Sequence, residues 1–402
     1  MPNEGIAHAI VDKCFLVKCI LEVWGQGVSL EASHEDVARF DPDVKNYFAA
    51  EGQSFKFLVE AWGSSLSNSR KIEIMESYEH CTKFRGAVSL ESPMNEFWII
   101  VAAPNASSIM PTDRPWYFFG RKIASNQRRA AVLKKYDLSS RRYLGPTSMD
   151  TELAFLAANM CQVKRSSLVI DPFVGTGGLL IPAAALGAIT MGLDIDMRVI
   201  KLGKIDKDKQ RVNVWTNFSD YGLSPPVGLL RCDIHRNPFR NDLEEVFHAI
   251  LADPPYGVRA GGRKSKADPK MDIPDREKHY ASTAQYSLRE CLGDLLEWSA
   301  LVLVMGGRLA YWIPSLPDAP DTLPSHPMLT LIYNCEQVLG GRYNRRLIVM
   351  EKSKTYDSNE AMEYLKANPL PNLAIDNLFD VVYSPMDPQS KPKSRQFRSK
   401  LV

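Results

Sequence analysis

The sequence predicts an α/β protein in which a smaller α/β module precedes a doubly wound sheet. The sheet is predicted because, from Thr147 onward, apolar runs typical of parallel strands alternate with helical segments. Acidic residues stand at the ends of several runs, and doubly wound sheets bind ligands at the carboxyl ends of their strands. Residues 306–314 are predicted as a fifth strand, and residues 328–339 with 347–352 as a closing hairpin. Between residues 12 and 105, short apolar stretches alternate with polar connectors, which predicts the smaller module.

The turn after the apolar run at residues 249–252 reads Asp253-Pro254-Pro255-Tyr256. Proline fixes φ, so the two prolines hold the Asp253 carboxylate and the Pro254 carbonyl in one direction. The Tyr256 ring offers a face on which a base can stack. An exocyclic amine would therefore meet two acceptors and a platform, whereas an ordinary strand-ending turn needs none of these. We predict that Asp253, Pro254, Pro255 and Tyr256 form a catalytic group that acts on such an amine.

A second motif, at residues 167–181, is predicted to form a strand, a tight glycine loop and a helix. Glycines at positions 175 and 177 allow positive φ and a close approach of the backbone to a ligand at a helix N-terminus. A dinucleotide site would need a third glycine where Leu180 stands, and a P-loop would need a Gly-Lys-Ser or Gly-Lys-Thr sequence. The loop therefore argues against NAD and ATP. Its predicted cofactor contacts are Asp171, Pro172, Phe173, Gly175, Thr176 and Gly177.

Acids also follow the next two predicted strands. The run at residues 188–193 leads into Asp194 and Ile195, where an acid can accept hydrogen bonds from both hydroxyls of a ribose. The run at residues 227–231 is followed by Asp233, placed to meet an adenine amino group. Strand ends of this kind describe a pocket for an adenosine that carries no phosphate. The predicted cofactor is S-adenosylmethionine, with Asp194, Ile195 and Asp233 among its contacts.

Basic residues concentrate between positions 121 and 142, although the net charge of the chain is only +2. Affinity for nucleic acid would therefore have to come from such a local cluster. The segment is predicted to track RNA phosphates, and the alternative is a solvated helix face. Its eight basic residues are Arg121, Lys122, Arg128, Arg129, Lys134, Lys135, Arg141 and Arg142.

Composition excludes several classes of protein. The chain has 402 residues, of which 45% are hydrophobic, enough for two or three domains with sizeable cores. No apolar run reaches the length of a membrane span and no signal pattern stands at the N-terminus, so a soluble, cytoplasmic protein is expected. The seven cysteines form no CxxC pair and the seven histidines no HExxH motif, so no metal site is predicted.

Five segments together resemble the eukaryotic tRNA guanine-10 N2-methyltransferase catalytic subunit. They are residues 145–150, 171–178, 194–196, 253–256 and 345–352. The resemblance extends from about His8 to Lys352 and is strongest at residues 143–178 and 252–259. One departure is Pro146, where the family more often has Asn; this should alter a loop without removing a catalytic group.

The resemblance implies methyl transfer from S-adenosylmethionine to N2 of a guanine in tRNA. It also implies a seven-stranded methyltransferase sheet after an N-terminal THUMP RNA-binding domain, and it adds Thr147 and Ser148 to the cofactor contacts. A small zinc-binding activator protein is the implied partner, adding a strand beside residues 227–230. The chain starts inside the family's first ferredoxin-like region, so we expect a truncated first RNA-binding subdomain.

The predicted domains are a THUMP-like region at residues 1–118, a basic linker at 119–145 and a methyltransferase domain at 146–355. A C-terminal extension at 356–402 is predicted to end in a disordered tail. Other functions stay open at this point. The same turn serves N6-adenine DNA methyltransferases and, with Asn first, protein glutamine methyltransferases. An RNA-binding protein with an idle pocket is the alternative outside catalysis.

Overall fold

The structure is a computed structural model that describes residues 3–14, 16–104, 113–145, 148–237, 239–240, 243–255, 262–265, 283–316, 323–339 and 343–370. The chain divides into two compact units, the first ending at Arg129 and the second starting at Ala130. The tail predicted to be disordered lies outside the described residues.

The first unit is built on a four-stranded sheet. Its described elements are α1 (Glu4–Lys13), β1 (Cys19–Gly27), α2 (Leu30–Arg39), α3 (Pro42–Phe48), β2 (Phe55–Trp62), α4 (Asn68–Ser77), α5 (Glu79–Thr82), β3 (Asn95–Ala102) and β4 (Trp116–Ser125). The strand order is β1-β4-β3-β2. β4 pairs antiparallel with β1 and β3, whereas β2 and β3 are parallel.

The core of the first unit is largely aromatic and follows from strand alternation. In β3 the buried residues Phe97, Ile99 and Val101 alternate with partly exposed ones, the period-2 pattern of a strand with one covered face. Trp24 of β1 and Phe119 of β4 join this core, and the rings of Trp24 and Phe97 lie 4.9 Å apart. The smaller α/β module predicted for this part of the chain is confirmed.

The predicted start of the basic linker, residue 119, is wrong, because β4 continues to Ser125. Its basic residues fit in a sheet because acids on the neighbouring strands pair with them. Arg121 Nε lies 3.0 Å from Glu22 Oε2 on β1, and Lys122 Nζ lies 2.5 Å from Glu96 Oε2 on β3. Cross-strand pairs of opposite charge stabilise a sheet, so this sequence forms a strand in spite of its charge.

The boundary between the units falls within α6 (Gln127–Tyr136), which leads to a 3₁₀ turn (Leu138–Ser140). The described elements that follow are α7 (Thr151–Met160), β5 (Leu168–Asp171), α8 (Leu180–Ala185), β6 (Ile189–Asp194), a π-helical turn (Arg198–Leu202), β7 (Lys204–Ile205), β8 (Arg211–Val212), α9 (Val214–Tyr221), β9 (Gly228–Arg231), β10 (Phe247–Ala252), β11 (Arg263–Ser265), β12 (Thr283–Gln285), α10 (Leu288–Val302), β13 (Leu303–Ser315), β14 (Leu329–Gln337), β15 (Asn344–Lys352) and α11 (Ser358–Ala367).

The main sheet of the second unit has seven described strands in the order β14-β15-β13-β10-β5-β6-β9. The five strands from β13 to β9 run parallel, and β15 pairs antiparallel with β13 and β14. This confirms the predicted doubly wound sheet with its closing hairpin, β14 and β15. The strand predicted at residues 227–231 is β9, which lies at one end of this order of described strands.

Helices cover both faces of this sheet. The side chains of β10, which alternate between the two faces, show this arrangement. Ala249 and Leu251 face a core that includes α7 and α8, whereas Ile250 and Ala252 face a core that includes α10. A strand that is buried on both faces reads as a continuous apolar run. Within the described residues no helix is both long enough and apolar enough to cross a membrane.

Candidate active site

Acids from neighbouring parallel strands meet at one edge of the large sheet. Asp171 ends β5, Asp194 ends β6 and Asp253 directly follows β10. Their proximity has an electrostatic effect: burial and then the charges of Asp194 and Asp253 raise the pKa of Asp171. Asp233 follows the edge strand β9, which runs parallel to β6. The acids predicted at strand ends therefore share one edge, where doubly wound sheets bind ligands.

The glycine loop has the backbone conformation predicted for it. Gly175 and Gly177 have φ values of +48° and +82°, a region that residues with a Cβ rarely adopt. A Cβ on Gly177 would lie 2.9 Å from Val214 Cγ1 of α9, so substitution there meets both strain and a clash. α8 begins only at Leu180. The glycines therefore lie in the turn before the helix and not in its first turn.

Asp194 joins the glycine loop to the end of β6. Its Oδ2 accepts a 3.0 Å hydrogen bond from the Gly175 amide, and its Oδ1 accepts one of 2.8 Å from the Asp196 amide. Burial raises the pKa of Asp194, while these amides lower it. A carboxylate offers about four lone-pair sites, so Asp194 can still accept hydrogen bonds from a diol. The neighbouring Ile195 carbonyl accepts from Arg231 Nε at 3.3 Å.

The other predicted loop contacts differ in exposure. Asp171 is buried, and its Oδ1 accepts a 2.9 Å hydrogen bond from the Phe173 amide. Pro172 is also buried, whereas Phe173 and Thr176 are partly exposed. Asp171 and Pro172 therefore support the loop from inside, and Phe173 and Thr176 lie where a ligand could reach them.

The turn before α7 contacts the glycine loop. Ser148 Oγ lies 3.2 Å from Thr176 Oγ1 and accepts a 3.1 Å hydrogen bond from the Gly145 amide. The structure thus brings together two residues, Ser148 and Thr176, that the sequence placed among the cofactor contacts from separate motifs. Pro146 and Thr147 lie outside the described residues.

Asn217 of α9 is a buried residue that the sequence did not single out. Its side-chain NH₂ donates to the Tyr143 carbonyl at 2.7 Å and to the Thr176 carbonyl at 3.3 Å, and its Oδ1 accepts from the Tyr143 amide at 3.1 Å. The Tyr143 ring lies near the site, since burial and then the charge of Asp194 raise its pKa. Asn217 therefore positions the glycine loop and the segment before Ser148 together.

A cluster of polar side chains adjoins Asp233, whose Oδ1 accepts a 3.0 Å hydrogen bond from the His235 amide. The His235 Nδ1 lies 2.8 Å from Asp294 Oδ2, and the buried Tyr286 hydroxyl donates to the same oxygen at 2.5 Å. Burial, and then Cys291, Asp294 and Asp233, raise the pKa of Tyr286. Tyr286 directly follows β12, so this cluster ties the chain after β9 to the small β11–β12 hairpin.

The predicted catalytic turn emerges from the middle of the sheet, because β10 lies between β5 and β13. Asp253 and Pro255 are partly exposed, and Pro254 is buried. Tyr256 lies outside the described residues. The catalytic roles of these residues stay predictions, and the structure places the first three at the end of a central, buried strand.

Some of the predicted RNA-contacting residues are exposed, and others are paired with acidic residues of the protein. Lys134 and Lys135 of α6 are exposed, in agreement with a phosphate-binding face. Arg121 and Lys122 are paired with acids of the first unit, on β1, β3 and α1, and Arg142 Nε lies 2.9 Å from Asp220 Oδ2. Arg129 is partly exposed, and the side chain of Arg128 lies outside the described residues.

The prediction that Arg141 contacts RNA is corrected, because its side chain is buried. Its Nη2 donates to the Tyr136 carbonyl at 3.2 Å and to Thr151 Oγ1 at 3.3 Å. Burial lowers the pKa of Arg141, as expected for a cation removed from water. Arg141 therefore connects α6 to α7 within the second unit and has no surface to offer a phosphate.

Matches to family models extend over both units. Residues 139–268 match the family described as RMKL-like, methyltransferase domain, and residues 1–128 match the family described as Tmrp11 THUMP N-terminal domain. Together with the strand order and the acids at the strand ends, these matches define the second unit as a class I methyltransferase domain that follows a THUMP N-terminal domain.

Curated relatives are similar over most of the chain. The tRNA (guanine(10)-N(2))-methyltransferase TRMT11 of Gallus gallus is 34% identical over 377 residues, which cover 91% of this chain and 81% of that protein. The proteins of the same name from Dictyostelium discoideum and Homo sapiens are 35% and 33% identical, covering 89% and 91% of this chain and 72% and 81% of theirs. The chain belongs to the TRMT11 family, as the resemblance predicts.

Solved structures also match. TrmN from Thermus thermophilus is 19% identical with a TM-score of 0.39, and the match covers 83% of each chain. A possible methylase from Clostridium difficile 630 is 12% identical with a TM-score of 0.41, covering 88% of this chain and 89% of that one.

Proposed function

We propose that this chain transfers a methyl group from S-adenosylmethionine to N2 of the guanine at position 10 of tRNA, in the cytoplasm. The observation that carries the proposal is the turn Asp253-Pro254-Pro255, which follows β10 beside strands that end in Asp171 and Asp194. The names of the curated relatives support the choice of substrate.

The residues present fit S-adenosylmethionine. Asp194 and Asp233 offer acceptor oxygens at the strand ends, which suit the hydroxyl and amino groups of an adenosine. When bound, the cofactor supplies a methyl group on a positively charged sulfur. Asp194 would accept from the ribose hydroxyls and Asp233 from the adenine amine. The remaining proposed contacts are Thr147, Ser148, Phe173, Gly175, Thr176, Gly177 and Ile195, and Asp171 and Pro172 would support the loop from inside.

Asp253 and Pro254 would act on the substrate amine. The lone pair of the guanine amine is delocalised into the ring, which makes the amine a weak nucleophile. If the Asp253 carboxylate and the Pro254 carbonyl accept hydrogen bonds from the two N–H groups of this amine, its lone pair is localised on nitrogen and directed at the methyl group. Asp253 would also take the released proton. Proton transfer to a positioned group typically raises the reaction rate about 100- to 10,000-fold. The base must leave its stack, and Tyr256 would hold it once flipped.

The THUMP unit and the exposed lysines of α6 would bind the tRNA. Lys134 and Lys135 are the exposed basic residues of α6, and with Arg128 and Arg129 of the same helix they are proposed to contact phosphates without sequence preference. We place the methyltransferase domain at residues 146–355 and a C-terminal extension at residues 356–402.

A small zinc-binding activator is proposed to cover β9. Val227 is 68% exposed and Leu230 is 41% exposed, and among the described strands β9 pairs only with β6. An edge strand with exposed apolar side chains is a site for pairing with another chain. A strand added there would satisfy the backbone groups and bury both side chains.

The test of the proposal is transfer of a tritiated methyl group from the cofactor to an unmodified tRNA transcript. A matched transcript with adenine at position 10, duplex DNA and a protein mixture serve as controls. The proposal expects N2-methylguanosine in digests of the first transcript alone. Label in DNA or protein, or in another nucleoside, would refute it.

A further inference from the structure

A cation lies on the opposite side of the catalytic turn from the cofactor acids. Arg345 is the second residue of β15 and pairs with Pro314 of β13. β13 is the direct neighbour of β10, with Tyr311 opposite Ala252, so residues 312–315 continue alongside the catalytic turn. Neighbouring strands lie about 4.8 Å apart, which places β15 roughly 10 Å from β10.

The guanidinium of Arg345 is held in one orientation. It stacks 5.1 Å from the ring centre of Trp312, which is buried. Its Nε and Nη2 donate to Gln337 Oε1 at 3.2 Å and 3.0 Å, and Nη2 lies 3.8 Å from Met149 Sδ. Met149 follows Ser148, which contacts the glycine loop. The guanidinium is thus on the side of the sheet where that loop lies, and its rotamer is already fixed.

Arg345 differs from the neighbouring Arg346 in the groups that surround its charge. In the part of the chain that the structure describes, Arg345 hydrogen-bonds to neutral atoms, the Gln337 oxygen and the Met149 sulfur. Arg346 instead lies 4.0 Å from Glu336 and donates to Asn334 Oδ1 at 3.2 Å. Arg345 is also partly exposed. Arg345 is therefore an oriented cation that can still bind an anion.

We propose that Arg345 binds a phosphate of the RNA strand that carries the target nucleotide, and so positions the guanine against Asp253. This rests on the proposed function. A flipped nucleotide carries its phosphates on the strand from which the base swings out. The ends of β5 and β6, on one side of the turn, belong to the proposed cofactor site, so we place the RNA backbone on the other side, over β13 and β15. A planar guanidinium suits a phosphate there, because it donates two parallel hydrogen bonds.

The test compares Arg345→Met with Arg345→Lys and with a matched control, Arg346→Met, in the full-length chain in its active form. Methionine keeps an apolar stem on Trp312 but removes the charge and the donors. For Arg345→Met we expect kcat/KM for the tRNA transcript to fall about 10- to 100-fold. The slope of log affinity against log salt should flatten by about 0.7 to 0.9. Calorimetric binding of S-adenosylhomocysteine should not change.

Arg345→Lys should keep the salt slope, because the charge is kept, and lose part of kcat/KM. Arg346→Met should keep both values. Equal salt slopes for wild type and Arg345→Met would overturn the proposal and leave Arg345 as a cover for Trp312. The slope is measured without turnover, so it decides this point even if the wild type fails to methylate guanine 10. That failure would count against the proposed function alone.

Discussion

Asp171 and Asp253 stand at the ends of adjacent strands, but their surroundings differ. Asp171 is 1% exposed, whereas Asp253 is partly exposed in the turn after a central strand. A buried carboxyl group favours its neutral form, whereas a partly exposed carboxylate can be reached from solvent. The same residue type therefore supports the loop in one place and is proposed to act on the amine in the other.

Replacement of Asp253 separates catalysis from cofactor binding. We expect Asp253→Ala and the isosteric Asp253→Asn to lower kcat by about 100-fold or more, since both remove the proposed proton acceptor. Single-turnover methylation of tRNA measures the loss, and calorimetry with S-adenosylhomocysteine should show nearly unchanged affinity. Substantial residual methylation by Asp253→Asn would remove Asp253 from the proposed mechanism.

Asp171→Asn should change how stability depends on pH. Burial, and then the charges of Asp194 and Asp253, raise the folded-state pKa of Asp171 above its unfolded value. The wild type therefore binds an extra proton when folded, and this contribution is lost as pH rises through the raised pKa. Thermal unfolding between about pH 4 and pH 8 should show the variant gaining stability over the wild type as pH rises. A constant difference in melting temperature would contradict the burial of an acid here.

The sequence identified residues whose chemistry is local and missed those whose role depends on distant contacts. Gly175 and Gly177 could be predicted because a positive φ needs glycine wherever the loop lies. Asn217 could not, because its partners Tyr143 and Thr176 are 74 and 41 residues away. Arg141 looks like any surface arginine in the sequence, and only its burial shows that it belongs to the interior.

At the scale of elements, the exposed lysines of α6 carry the proposed electrostatic contact with tRNA. We expect a Lys134→Met and Lys135→Met double variant to flatten the plot of log tRNA affinity against log salt by about 0.7 to 0.9 per lost phosphate contact. Filter binding over a salt series is the measurement. The control is Lys366→Met, which removes an exposed lysine from the last turn of α11. An unchanged slope in the double variant would identify α6 as a solvated face.

Strands were easier to predict where they are buried than where they are charged. The central strand β10 is a continuous apolar run, so its position followed directly from the sequence. The sequence predicts a linker from residue 119, within β4, because Arg121 and Lys122 make this strand look like a charged connector. The acids that accommodate them, Glu22 and Glu96, lie on other strands. Cross-strand charge pairs of this kind are visible only after the strands have been aligned.

At the scale of the whole molecule, β9 is the edge at which a second protein is expected. Leu229 of β9 packs inward: a Cβ on Gly192 would lie 2.8 Å from its Cδ2. Leu230 is the exposed residue. A charged residue at position 230 would therefore disturb the contact with a partner without disturbing the sheet beneath the glycine loop.

We expect Leu230→Lys to abolish co-purification with the activator subunit and to lower tRNA methylation of the co-expressed protein. The reason is that a buried, unpaired ammonium in an apolar contact is strongly unfavourable. Met362→Lys, at a 55% exposed position of α11, is the control and should behave as the wild type. Gel filtration of the chain expressed alone completes the test. A monodisperse, fully active single chain would remove the reason to propose a partner.

The four-stranded and the seven-stranded sheets share a further property: the strands of each come from one continuous stretch of sequence. β1 to β4 all precede Arg129, and the strands of the larger sheet all follow it. On the ribosome, the RNA-binding unit is therefore complete well before the catalytic unit. At about 5–20 residues per second, the roughly 220 residues from Arg129 to Lys352 take about 11–45 seconds to synthesise. During that interval the nascent chain already carries the complete four-stranded sheet. β9 can pair with β6 as soon as it is made, whereas β10 and the strands beyond it follow later.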